Sequence, residues 1–183
     1  MPFGITGSEA DSMNRIFNFF LRLSARQLFI QLFAPVVLAL IVWLMGYTLA
    51  AFIIFQLFIE AFVLWHLSIG AKLHISKRPF YFFLFNLLFG VVYRLGTNAW
   101  QVVHYLQDNE FLQLERILWV IPFHLYATLG VVYCFSQNAG WMIQREREKG
   151  IQSSHNLMQT FFRILIFPWG LWSVQPRLNQ LIK

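Results

Sequence analysis

The run from Leu28 to Gly70 constrains this chain more than any other feature. It contains one carboxylate, Glu60, and no lysine or arginine. A membrane-spanning helix needs about 20 apolar residues, and this run is roughly twice that length. It therefore reads as two spans joined by a tight turn at Gly46-Tyr47-Thr48, from Leu28 to Met45 and from Leu49 to Gly70. Glu60 then falls near the middle of the second.

Composition points the same way. The 183 residues are 58% hydrophobic and 12% charged, whereas a soluble domain carries roughly 25% charged residues. With 21 Phe, 7 Trp and 6 Tyr, the chain has more aromatic surface than a soluble core of this length hides. A bilayer accommodates it. The single cysteine, Cys134, excludes an intrachain disulfide.

Two more spans follow. The third starts behind Pro79, a good first-turn residue, and runs over about 80–100; the fourth runs from Ile117 to Asn138. Leu157 to Trp172 is too short to span and is interrupted by Arg163, Pro168 and Gly170. It reads as an interfacial or re-entrant helix ending in the turn at Phe167 to Gly170. At the other end, residues 1–27 read as a cytoplasmic leader, with no signal peptide expected because the first apolar run starts late. Within it, a helix over Ser12 to Gln27 puts Ile16, Phe19, Phe20 and Leu23 on one face and Arg15, Arg22 and Arg26 on another. That is an interfacial pattern, or simply the lead-in to the first span.

The basic residues set orientation. Of the 14 Lys and Arg, all but Arg94 and Arg116 lie in the leader, between spans two and three, or after span four. The opposite side receives the uncharged Gly46 turn and a loop with Asp108, Glu110 and Glu115. The positive-inside rule then places both termini in the cytoplasm. This asymmetry accounts for the basic balance without nucleic acid, which is not an expected partner. The expected fold is all-α: a four-span bundle over 28–138, a leader over 1–27 and a cytoplasmic or interfacial segment over 139–183.

Some polar residues sit where lipid makes them expensive. Glu60 lies at mid-depth, with Gln56 one turn before it on the same face. Such a carboxylate is paired, protonated or functional. Span three carries Asn86, Gly90, Arg94, Thr97 and Gln101 at helical spacing, with Tyr93 and Asn98 beside them. Arg94 lies roughly 9 Å from the outer end of its span, at 1.5 Å per residue. Its reach allows a pair with Glu60, or snorkelling to the outer surface. His124 on span four stands at similar depth, as a packing residue or as part of the same cluster. Gln56, Glu60, Arg94, Asn98 and His124 are the candidate seam, either interhelical glue or the wall of a water-filled path in an assembly.

Catalytic signatures are lacking. The five histidines are scattered and Cys134 is alone, so no spacing suggests zinc. No H-E-x-x-H, Walker A or G-x-S-x-G occurs. No enzyme activity, metal or cofactor is expected. The mixed run Arg145 to Lys149 reads as a solvated extension of span four, or as a docking surface for a soluble cytoplasmic partner through Arg145, Arg147 and Lys149.

Two stretches carry a resemblance: IPFHLYATLGVVYCFSQNA (Ile121 to Ala139) and FPWGLWSVQPRLNQL (Phe167 to Leu181). They resemble a group of small four-span bacterial inner-membrane proteins with a PxHL…YC pattern and an F-P-x-G-x-W-x-x-Q-P-R-x-N tail. The resemblance covers about 117–181. It implies a bacterial inner-membrane protein and no particular activity. Together these readings favour a homo-oligomeric pore or membrane-perturbing effector, of the kind used in bacterial defence or toxin systems. The alternative is an accessory or scaffold subunit that anchors a soluble partner at the membrane.

Overall fold

The computed structural model describes residues 7–108, 121–151, 155–166 and 170–182, with side chains from Arg15 onward. Every element among them is a helix: α1 (Gly7–Arg22), α2 (Ala25–Leu44), α3 (Thr48–Leu73), α4 (Lys77–Asp108), α5 (Ile121–Glu148), α6 (Leu157–Leu165) and α7 (Leu171–Ile182). Among the described residues, α2, α3 and α4 are long and apolar enough to cross a membrane. The 28 residues of α5 suffice in length, but they include His124, Ser136, Gln137, Asn138 and a charged end. The apolar residues 117–120 expected at its head lie outside the described residues, as do Glu110 and Glu115.

Local chemistry sets the boundaries. The leader helix does not run on to Gln27 as expected. It ends at Arg22, because Ser24 starts a new helix with a capping box. Gln27 N–H donates to Ser24 Oγ at 3.2 Å, and Ser24 N–H donates to Gln27 Oε1 at 2.9 Å. Arg26 and Gln27 thus belong to α2. That helix stops at Gly46, whose φ of +87° suits a residue without Cβ. There the Tyr47 N–H reaches Val42 O and the Gly46 N–H reaches Trp43 O, satisfying end carbonyls. α5 ends the same way at Gly150.

The C-terminal segment also differs from expectation. It forms two helices rather than one, and Trp172 belongs to the second. The fold-back brings Gly170 so close that a Cβ there would lie 1.4 Å from Arg163 O. Asn156 opens α6 with its own capping box to Gln159.

α3 is the central helix, packed by α1, α2, α4 and α5, while α4 lies mainly along α5. The core sits at the end where α1 and α7 pack together, the termini end. Leu28 and Leu32 of α2, Trp65 and Ile69 of α3, Phe83 of α4, Cys134 and Met142 of α5, and Leu171, Val174 and Leu178 of α7 are buried there. The far half is different: Leu44, Val92, Leu106 and Leu129 are 71%, 69%, 69% and 67% exposed. Apolar surface of that extent, on helices this apolar, belongs against hydrocarbon. Two close approaches fix the helix register. The Phe83 ring lies over Gly70, where a Cβ would come within 2.6 Å, and Asn86 lies over Gly130, where a Cβ would come within 2.9 Å.

Candidate functional site

Periodicity places Gln56 and Glu60 on one stripe of α3, and Arg94 and Asn98 on one stripe of α4, each pair four residues apart. The fold sets these stripes face to face. Arg94 Nη2 donates to Glu60 Oε1 in a close ion pair. Arg94 Nη1 donates to Gln56 Oε1 at 3.0 Å, and Asn98 Nδ2 donates to the same oxygen at 2.8 Å. The Arg94 side chain, 21% exposed, thus reaches across to α3 rather than out along α4. Three hydrogen bonds join the four polar side chains, satisfying part of each, and the two formal charges cancel. In a low-dielectric setting, that mutual satisfaction is what allows them to lie there.

The cluster borders a cavity of about 690 Å³ between α3, α4 and α5. Tyr93, Arg94, Thr97, Asn98 and Gln101 form one wall and His124, Ala127, Thr128, Val131 and Phe135 the facing one, with Phe52 contributed by α3. On the termini side of the cavity α3 and α5 meet, where Phe62 and His66 pack on Phe135 and His66 meets Asn138. Beyond Phe135 the helices part. His124 joins the wall rather than the ion-pair cluster: its Nδ1 lies 3.4 Å from the Tyr93 hydroxyl. Thr128 donates its hydroxyl back to His124 O at 2.8 Å. His124, Thr128 and Val132 are exposed, so the cavity is open along this side.

The run Arg145 to Lys149 is not the uniformly solvated extension expected from its composition. Glu146 is buried, 2% exposed, and Arg177 of α7 grips it with Nε at 2.6 Å and Nη2 at 2.7 Å. Arg177 Nη1 also donates to Thr160 of α6 at 3.2 Å. Arg145 donates to Leu73 O and His74 O, closing the end of α3, and Nζ of Lys149 donates to Leu181 O at 2.8 Å. Arg147 is exposed.

Residues to which spacing and composition assign no role prove central to the termini end. Gln175 is fully buried. Its Oε1 accepts from Trp65 Nε1 at 3.1 Å, and its Nε2 donates to Phe20 O, Leu21 O and Leu23 O, which are the last carbonyls of α1 and its exit. Asn179 donates to Leu23 O as well. The polar letters of the Q-P-R-x-N stretch therefore staple four helices together. Spacing within the tail suggests its turn; nothing local reveals the partners. Asn138 likewise donates to His66 O at 3.1 Å and lies 3.1 Å from His66 Nδ1, joining α5 to α3.

Among the described residues no three His, Cys, Asp or Glu side chains gather as a metal would require. Cys134 is buried with its thiol directed to Phe83 O. What the seam and cavity offer is hydrogen bonding beside an apolar surface. No protein family, curated protein or solved structure matches the chain.

Proposed function

We propose that this chain is a four-span membrane protein that works without catalysis as a homo-oligomeric pore or membrane-perturbing effector. Its fourth span is the α5 region, about 42 Å long at 1.5 Å per residue, against a hydrocarbon core of about 30 Å. Both termini lie in the cytoplasm, on the side that collects the basic residues. The resemblance carried by the tail and α5 supports a bacterial inner membrane as its location. One observation carries the reading: the Gln56–Glu60–Arg94–Asn98 cluster borders a cavity whose facing wall ends on exposed His124 and Thr128. Polar groups facing lipid are costly. A second copy packed over the gap between α3 and α5 covers them and turns one subunit's wall into a shared path past the Arg94 cluster.

The test pairs native mass spectrometry of the purified protein with a membrane-potential dye during induced expression. A discrete oligomer with depolarisation that Glu60→Leu abolishes supports the proposal. A monomer or dimer that leaves the potential intact overturns it. A second reading, a scaffold for a soluble partner, is favoured by the platform of α1, α6, α7 and the end of α5, from which Arg147 projects. It calls for co-purification of a partner that Arg147→Glu releases, with no depolarisation.

A further inference from the structure

The cavity has the size of a small-molecule site, within the 300–1,000 Å³ or so of typical ligand pockets. It runs along α4 from Gly90 to Gln101, roughly 16 Å at 1.5 Å per residue. Its walls are almost wholly apolar at the surface, with a few polar groups set into them. Phe52, Val131, Val132 and Phe135 supply apolar and aromatic surface, while Arg94 and Tyr93 supply donors. A guanidinium has five N–H groups, and Gln56 and Glu60 engage two nitrogens without exhausting them.

Charge then selects the ligand. Arg94 is the formally charged residue of the lining, and Glu60 cancels it across the α3–α4 contact. An anionic head group would place a second negative charge beside Glu60. A cationic one would face Arg94. Neither is compensated in a low-dielectric site. An uncharged head rich in hydrogen-bond acceptors matches the donors left over, and a planar one matches the ring surfaces of Tyr93, His124 and Phe135. The exposed side at Thr128 and Val132 gives a hydrocarbon tail its exit into lipid.

We propose that the cavity between α3, α4 and α5 binds a neutral prenyl quinone, its carbonyl oxygens accepting from Arg94 and Tyr93 and its chain leaving between α3 and α5. This proposal and the pore reading use the same opening, because a second copy over the gap between α3 and α5 would close the exit of the chain. Binding is measured on purified protein, so a chain that binds without depolarising cells, or depolarises them without binding, separates the two.

The experiment is equilibrium dialysis of full-length protein in nanodiscs against decylubiquinone, with laurate and monolaurin as competitors. The expected result is saturable quinone binding, little affected by either competitor. Thr128→Trp, which fills the open side of the cavity without entering the buried core, weakens it at least tenfold while elution and thermal unfolding stay as in the wild type. Glu60→Gln leaves Arg94 unbalanced and raises laurate affinity at least tenfold. Absence of saturable quinone binding overturns the proposal. So does equal binding by Thr128→Trp, or stronger wild-type binding of laurate or monolaurin than of the quinone.

Discussion

Arg177 holds the termini end of the fold together through one contact whose removal has a calculable cost. Glu146 is 2% exposed and both its oxygens are taken by Arg177, at 2.6 and 2.7 Å. Arg177→Met keeps most of the side-chain volume but strands a buried carboxylate and frees Thr160 of its donor. Removing one partner of a buried pair typically costs about 3–5 kcal/mol, most of it the desolvation of the charge left behind. For a chain of this size, each kcal/mol moves the unfolding midpoint by about 2–4 °C, so the expected fall is about 6–20 °C. The double variant Glu146→Leu/Arg177→Met removes the stranded charge and should return to within about 1 kcal/mol of the wild type. The measurement is thermal unfolding followed by tryptophan emission, with Trp65 and Trp141 inside the affected core. Two results refute the reasoning: an Arg177→Met variant within about 2 °C of the wild type, or a double variant as destabilised as the sum of the two single variants, which would show that the two side chains are not coupled.

Gln175→Ala removes the acceptor for Trp65 and the donor to three carbonyls at the end of α1. It should cost about 2–3 kcal/mol and speed proteolysis near Ser24, measured by limited digestion; unchanged cleavage would count against the staple. Gly170→Ala forces a Cβ onto Arg163 O and should exceed the usual overpacking cost of about 1–3 kcal/mol, read as loss of folded protein on size-exclusion chromatography. Gly70→Ala meets the Phe83 ring instead, which can shift, so its cost should stay within about 1–3 kcal/mol in the same unfolding assay. Arg94→Leu strands Glu60 at membrane depth and should destabilise more than Arg94→Leu/Glu60→Leu; equal midpoints would mean that the stranded carboxylate costs nothing.

Much of the seam is legible without any tertiary structure. Gln56 with Glu60, and Arg94 with Asn98, follow from helical spacing, and a charge deep in an apolar run demands a partner of opposite sign within reach. Other contacts are not legible, for a definite reason. Glu146 sits in a run of alternating charge that looks solvated by every local criterion. Its burial depends on Arg177, 31 residues away on a helix that folds back across α5. Gln175 is an ordinary polar residue until α1 ends beside it, more than 150 residues earlier in the chain.

By itself, the sequence determined that the chain is helical and built for lipid, where its helices turn at Gly46, and which residues lipid makes expensive. These are matters of composition, run length and period, all read within one helix. Only the tertiary structure decided that α3 is central, that α3 and α5 part beyond Phe135 to leave a cavity, and that the tail is a staple. Such features depend on which helices are neighbours and in what register. That information is spread over side-chain shapes such as Gly70 beneath Phe83 and Gly130 beneath Asn86, and it becomes physical only when the surfaces meet.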